Sequence, residues 1–231
     1  MNIHKQVATT ALLLMLFAVI GAALVGFIYD RTYDTIKKNE ELTLLRELNH
    51  IVPASSYDND LLASTLELAA DQNLGTTETS IAYRAKKQGK NVAVVFSAIA
   101  PNGYNGSIHL LVGIYHDGNL AGVRVVKHRE TPGLGDAIEA KRSDWILSFT
   151  GKSLDKLTDK QWKVKRDGGE FDQFTGATIT PRAVVKAVHA ALIYFKANKK
   201  ILLPDDDKNK ENYEQHSDIN PGSDTEGQRS E

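Results

Sequence analysis

The sequence predicts an α+β fold, in which an antiparallel meander sheet with packed helices follows one N-terminal transmembrane helix. Three observations support this prediction. Residues 7–29 form a long uncharged run, residues 80–128 are rich in β-branched residues and turn dipeptides, and residues 181–200 have an apolar stripe with helical spacing. Because these segments have different apolar periods, they predict different kinds of element.

The uncharged run reads VATTALLLMLFAVIGAALVGFIY. At about 1.5 Å per residue, a helix of this length crosses the ~30 Å hydrocarbon core of a bilayer. A cleaved signal peptide would have an apolar core of only about 7–15 residues and a small-residue cleavage site. We therefore interpret residues 7–29 as a retained single-pass anchor, with Tyr29 in the interfacial aromatic belt.

The segments after the anchor differ in apolar spacing. Residues 30–73 have leucines at roughly helical spacing, broken near Pro53, and predict a helical stalk. Residues 92–126 contain alternating apolar positions, separated by turn residues at 101–106 and at Asp117-Gly118, and predict at least three antiparallel strands. Further on, we expect a short helix over 136–149, an extended segment over 162–174 and a helix over 181–200. That last helix has one apolar face, made of Val184, Val188, Ala191, Leu192 and Phe195.

Composition excludes several classes of function. The formal net charge is -1, which gives no general basic field for binding nucleic acid. The chain has no cysteine, so disulfides, iron–sulfur clusters held by protein thiolates and Cys-type zinc sites are excluded. The histidines are scattered, and we expect no metal site. Any redox chemistry must therefore come from a cofactor held by other residue types.

The first candidate site is a small-residue loop that leads into the last helix, DQFTGATITP at residues 172–181. Thr180 is a suitable N-cap and Pro181 suits the first helical position. The unpaired N–H groups of a helix N-terminus favour phosphate. From these residues alone, a capped helix after a turn remains the alternative.

The second candidate site is HRETPGLGD at residues 128–136, directly after the third predicted strand. Gly133 and Gly135 suggest a dinucleotide-binding loop, but residue 138 is Ile, so the third glycine is absent. The preceding strand also belongs to a meander, which is not the βαβ unit that such a loop requires. We therefore reject the dinucleotide interpretation.

Both segments resemble one known family. Residues 172–178 resemble the flavinylation motif Asp-x-x-(Ser/Thr)-Gly-Ala-(Thr/Ser), and residues 130–135 resemble the Glu-Thr-Pro-Gly-Leu-Gly loop of the same FMN-binding domain. This domain occurs in the G subunit of the Rnf electron-transport complex and in the C subunit of the sodium-translocating NADH:quinone oxidoreductase. The resemblance implies that the Thr178 hydroxyl is esterified to the phosphate of FMN. It also implies cofactor-binding roles for Asp172, Thr175, Gly176, Ala177, Glu130, Thr131, Leu134 and Gly135.

The resemblance further implies a membrane-anchored electron-transfer subunit of an ion-translocating oxidoreductase complex, one that turns over no substrate alone. Its partners would be other membrane subunits of the complex and a flavin transferase that uses FAD and Mg²⁺. The localisation would be the bacterial inner membrane, with the soluble domain in the periplasm. The compact length and the wording of the 128–136 loop favour the G-type subunit. The alternatives are the C-type subunit, an unflavinylated membrane-anchored assembly or binding protein, and a free-standing periplasmic flavin reductase.

We accordingly expect five regions along the chain. They are a short N-terminal segment (1–6), the transmembrane helix (7–29), a helical stalk leading into the domain (30–79), the FMN-binding domain (80–203) and a disordered polar tail (204–231).

The first testable prediction concerns the side of the membrane. Arg31, Lys37 and Lys38 outnumber Lys5, and this count alone favours a cytoplasmic domain. The resemblance implies the periplasm instead, and a short N-terminal segment easily remains inside. Alkaline phosphatase fused after Lys200 should therefore be active, whereas a reporter that fluoresces only in the cytoplasm should be dark. The opposite pattern would place the domain in the cytoplasm.

Overall fold

The computed structural model describes residues 3–204, so all of the predicted tail after residue 204 lies outside the described residues. The chain divides into two compact units, the first ending at Arg46 and the second beginning at Glu47. The helices and strands are α1 (Ile3–Ile51), β1 (Thr65–Leu68), β2 (Ser80–Lys87), β3 (Lys90–Gly103), β4 (Gly106–Tyr115), β5 (Leu120–Lys127) and α2 (Ile179–Leu202). Short 3₁₀ segments lie at Ala54–Ser56, Gly135–Ile138, Asp144–Phe149 and Lys165–Asp167.

The first unit consists of α1 residues. Within the described chain, α1 is the one helix that is long and apolar enough to span a membrane. Its side chains from residue 3 to residue 43 are exposed, including large apolar ones such as Leu14 and Phe17. Within this range residues 7–29 carry no charge, and a continuous apolar surface of that length is unfavourable in water and suits contact with lipid.

The second unit is built on a five-stranded antiparallel sheet with the order β1-β2-β3-β4-β5. Each strand pairs with its neighbour in sequence, as in a simple meander. The longest hairpin joins β3 to β4, and its tip is the turn between Gly103 and Gly106. The sheet, the packed helices and the N-terminal apolar helix confirm the predicted α+β fold class.

Alternation along β3 and β4 creates two buried faces. Phe96 and Val112 are paired across the strands and belong to the core cluster that includes the apolar face of α2. Phe96 also meets Tyr194 of α2 edge to face, with 6.0 Å between the ring centroids. On the opposite face, Gly113 pairs with Val95 and lies against Ile51. The sheet is therefore covered on both sides, by α2 and by the residues around position 51.

The C-terminal end of α2 is fixed to the sheet by Arg84 of β2. Its Nε donates to the carbonyl of Leu202 at 2.9 Å, and its Nη2 donates to the carbonyl of Ile201 at 2.7 Å. These carbonyls belong to the last turn of the helix, which leaves acceptors without intrahelical partners. Partial burial lowers the pKa of Arg84 from its usual value, but the guanidinium stays charged.

Four local predictions need correction. The segment predicted to be extended over 162–174 contains a 3₁₀ turn at Lys165–Asp167 and only isolated bridges. The helix predicted over 30–73 ends at Ile51, because Pro53 stops it, and β1 follows instead of a second helical stretch. The segment 136–149 forms two separate 3₁₀ turns and not one helix. Helix α2 begins at Ile179 with Thr178 at the N-cap position, so the assignment of Thr180 as N-cap was wrong.

The second prediction uses a pair of glycines that face each other across β4 and β5. A Cβ on Gly113 would lie 2.2 Å from Cγ2 of Ile51, whereas a Cβ on Gly122 would lie 3.5 Å from its nearest neighbour in Ile51. Gly113→Ala should therefore lower the free energy of unfolding by about 1–3 kcal/mol through overpacking. Gly122→Ala is the matched control and should change it much less. Equal denaturation midpoints for the two variants would contradict this packing.

Candidate functional site

A cleft of about 280 Å³ opens where the β3–β4 turn, the loop after β5 and the start of α2 meet. Its lining residues are Tyr104, Glu130, Thr131, Leu134, Gly135, Gly176, Ala177, Thr178, Ile179 and Thr180. Small-molecule sites usually have volumes of roughly 300–1,000 Å³. The cleft is therefore large enough for part of a cofactor and leaves the remainder accessible.

The carboxylate of Glu130 joins the three segments of the cleft. Only 4% of the residue is exposed. Its Oε1 accepts from the backbone N–H of Asn105 at 3.1 Å, and its Oε2 accepts from the N–H of Tyr104 at 3.3 Å. The hydroxyl of Thr180 also donates to Oε2. These bonds connect the hairpin turn, the loop after β5 and the first turn of α2 through one side chain.

Two glycines leave room for this carboxylate. A Cβ on Gly103 would lie 2.8 Å from Oε1 of Glu130, and a Cβ on Gly135 would lie 2.9 Å from the Cβ of Glu130. The loop itself is closed by the carbonyl of Thr131, which accepts from the N–H groups of Leu134 and Gly135 at 3.2 and 3.0 Å. The predicted tight glycine loop at 130–135 is thus formed, and it folds around Glu130.

His128 fixes the beginning of the same loop. Its Nδ1 accepts from the backbone N–H of Glu130 at 3.0 Å, and its Nε2 lies 2.8 Å from Oε1 of Glu139. An Nδ1 that accepts must be unprotonated, so Nε2 carries the ring proton and donates it to the carboxylate. Both ring nitrogens of His128 therefore take part in fixing the loop after β5.

The segment with the flavinylation-motif sequence forms a narrow turn before α2. The N–H of Ala177 donates to the carbonyl of Phe174 at 3.3 Å, and Gly176 has a φ of 83° between them. Positive φ is readily available only to glycine, so this turn depends on Gly176. Thr178 follows at the N-cap position, where its side chain makes no capping hydrogen bond. The residue lines the cleft, and its hydroxyl is left available for chemistry.

An aromatic cluster holds this turn from behind. The indole Nε1 of Trp145 donates to the carbonyl of Asp172 at 2.7 Å. The same ring lies edge to face with Phe174 and Phe149, at centroid distances of 5.1 and 5.3 Å. Trp145 therefore fixes both the backbone and the first aromatic side chain of the segment that leads to Thr178.

The structure brings most of the predicted site residues together. Thr178, Gly176, Ala177, Glu130, Thr131, Leu134 and Gly135 all line the cleft. Asp172 and Thr175 are exposed and do not line it. The Asp172 carboxylate instead lies 2.6 Å from Nζ of Lys165, and this hydrogen bond raises the pKa of Lys165.

Sequence reasoning missed three lining residues. Tyr104 was assigned only to a turn, Ile179 was given no role, and Thr180 was expected to cap the helix. Tyr104 is 65% exposed and Ile179 is 45% exposed, so each presents part of its side chain to solvent at the cleft. An aromatic residue at a hairpin tip was the one available indication in the sequence.

Comparison with known proteins agrees with this geometry. Residues 103–193 match the family model of the FMN-binding domain, and residues 1–51 match that of the RnfG N-terminal region. The chain is 50% identical over 187 residues to the G subunit of the ion-translocating oxidoreductase complex of Shewanella baltica, covering 81% of this chain and 88% of the relative. It is 48% identical over 200 residues to the corresponding protein of Pseudomonas aeruginosa strain PAO1, covering 87% and 94%.

The third prediction concerns the support from Trp145. Trp145→Phe removes the indole N–H that holds the Asp172 carbonyl, at a cost of about 1 kcal/mol for the hydrogen bond. Amide deuterium exchange in peptides covering residues 172–178 should therefore become faster. Trp162→Phe is the matched control, because the buried Nε1 of Trp162 has no hydrogen-bond partner among the described residues. Equally fast exchange of this segment in both variants would contradict a local role for Trp145.

Proposed function

The chain belongs to the family of G subunits of ion-translocating oxidoreductase complexes, and from this premise we propose that it carries FMN covalently on Thr178 as a membrane-anchored electron carrier. Membership makes it a redox subunit of such a complex, with an FMN-binding domain. The attachment residue, the covalent bond and the topology are the parts that we propose.

The proposal is supported mainly by the position of Thr178 in the cleft and by the absence of a capping hydrogen bond from its hydroxyl. Among the described threonines of the motif, it is the one that lines the cleft while its hydroxyl makes no capping bond. Thr180 also lines the cleft, but its hydroxyl donates to Glu130. Thr175 is exposed and outside the cleft. Thr178 is therefore the hydroxyl best placed to accept a phosphoryl group and leave the flavin in the cleft.

The cleft suits the flavin ring of FMN in shape and in chemistry. Gly176 leaves space in the cleft, because a Cβ there would lie 3.2 Å from Cδ2 of Leu134. The side chains of Tyr104, Leu134 and Ile179 supply the apolar and aromatic surface on which a flat ring system binds. FMN, when bound, supplies the redox chemistry, and the protein supplies its position and surroundings.

Attachment requires a catalyst outside this chain. A threonine hydroxyl is a weak nucleophile unless a base activates it. The one carboxylate that lines the cleft, Glu130, already accepts three hydrogen bonds. We therefore propose a separate transferase that uses FAD and Mg²⁺. The Oγ of Thr178 would form a bond to the flavin-side phosphorus, the pyrophosphate bond would break, and AMP and one proton would be released.

The rest of the proposal concerns location and partners. The exposed apolar part of α1 would hold the chain in the bacterial inner membrane, with the unit from Glu47 onward in the periplasm. Within that unit we assign FMN binding to residues 80–203, which contain the whole cleft. This protein would turn over no substrate alone. Its electrons would therefore come from other membrane subunits of the complex and pass on to them.

The fourth prediction tests the attachment residue. Full-length protein made together with a flavin transferase should be heavier than the bare chain by one FMN less one water, and should fluoresce in a denaturing gel. Thr178→Ala should lose both the added mass and the fluorescence. Thr175→Ala is the matched control, because it removes a hydroxyl that lies outside the cleft, and it should keep most of the label. Undiminished fluorescence in the Thr178→Ala protein would place the flavin on another residue and refute the assignment. Absence of the label from the wild-type protein would favour an unflavinylated binding or assembly role.

A further inference from the structure

The cleft has an unexpected charge for a site that takes a phosphorylated cofactor. None of its ten lining residues, all within the described chain, is Lys, Arg or His, and one of them is the carboxylate of Glu130. Phosphate sites in proteins usually contain cations or several free backbone N–H groups. This cleft therefore contributes a negative charge where a positive one is expected.

The negative charge of Glu130 is built into the structure. Its oxygens accept hydrogen bonds from two backbone N–H groups and from one hydroxyl. An ionised carboxylate can only accept, so this set of donors matches the charged form. Because the group is only 4% exposed, solvent screens its field less than that of a surface carboxylate.

The start of α2 compensates only in part. A helix N-terminus is equivalent to roughly half a positive charge. Pro181 in the first turn has no N–H to offer, and the hydroxyl of Thr180 already donates to Glu130. The half charge of the helix end, with the N–H groups of Ile179 and Thr180 that lack intrahelical partners, thus opposes a full charge on the carboxylate.

Neighbouring cations are directed elsewhere. Lys165 pairs with Asp172 at 2.6 Å, and Arg182 in the first turn of α2 makes two bonds of 2.6 and 2.8 Å to Asp167. Arg129, next to Glu130 in sequence, is exposed and does not line the cleft. These cations add little to the binding of an anion inside the cleft.

We propose that Glu130 is a specificity-determining residue that keeps free flavin phosphates out of the cleft before attachment. The proposal rests on the proposed function. A free phosphate monoester carries a charge of about -1.5 to -2 at pH 7. The diester formed with Thr178 has a single ionisable oxygen left and so carries one negative charge. Repulsion is thus greatest for the free monoester and smaller for the attached flavin, which the covalent bond holds in place.

The test compares FMN with riboflavin, which lacks the phosphate. Full-length protein from a host without transferase, shown by intact mass to be unmodified, is titrated in detergent while flavin fluorescence is followed. At about 10 mM salt, where screening is weak, riboflavin should bind about threefold or more tighter than FMN. At about 1 M salt the difference should become smaller without vanishing, because a buried charge is screened less than a surface one.

Variants assign the effect to Glu130. Glu130→Gln removes the charge and keeps an acceptor oxygen, and it should improve the binding of FMN relative to riboflavin by about threefold or more. Glu170→Gln is the matched control, since it removes an equal charge from a carboxylate that pairs with Lys152 outside the cleft, and it should leave the ratio unchanged. Thr131→Lys adds a cation at the cleft and keeps the Glu130 carboxylate, although it removes the hydroxyl that accepts from the Asn105 side chain, and it should make FMN the preferred ligand.

Tighter binding of FMN than of riboflavin by the unmodified wild-type chain would overturn the proposal, and this measurement needs no variant to fold. An equal ratio in wild type and in folded Glu130→Gln would overturn it as well. Failure of the proposed function is seen separately, as absence of flavin mass on Thr178 after coexpression with a transferase. The two proposals can therefore fail independently.

Discussion

The buried carboxylate of Glu130 is the interaction on which the candidate site depends. Among the described residues, it is the side chain that hydrogen-bonds both to the hairpin turn at Tyr104 and Asn105 and to the first turn of α2 at Thr180. A buried donor left without an acceptor costs about 1–3 kcal/mol. The three segments therefore keep their mutual positions because the hairpin turn and the start of α2 supply donors to the carboxylate that the loop supplies.

This arrangement explains why the surrounding sequence is so rich in small residues. Gly103 and Gly135 lie against Glu130, and Gly176 lies against Leu134, so side chains at these positions would fill the space that the carboxylate and the cleft occupy. Ala177 continues the pattern at the start of α2. The cleft thus results from the absence of side chains on three separate segments, which a buried charge then holds together.

Much of the fold could be predicted because its patterns are local. The uncharged run in α1, the alternation along β4 and the amphipathic stripe of α2 each depend on residues within one element. The segment after Ile51 was misjudged because its leucines have spacing compatible with a helix, while Pro53 and pairing with β2 favour a strand at Thr65–Leu68. Local spacing contains no information about that pairing partner.

The candidate site was predictable in part for the same reason. Residues within the two motifs, such as Leu134 and Thr178, could be named from the resemblance. Tyr104 could not, because it reaches the cleft only through the β3–β4 register and its bond to Glu130. Asp172 belongs to the motif in sequence, but its carboxylate is directed to Lys165, and only its backbone carbonyl is held, by Trp145.

Helix α2 is attached to the rest of its unit at both ends, through Thr180 and Glu130 at its start and through Arg84 and the Ile201 and Leu202 carbonyls at its finish. Sliding along its axis by a single turn of about 5.4 Å would break both attachments at once. A redox centre tethered at the start of this helix would therefore sit in surroundings that rearrange little when its charge changes. Such stiffness lowers the reorganisation that each electron transfer requires, and it leaves movement toward a partner to the parts of the protein outside this helix.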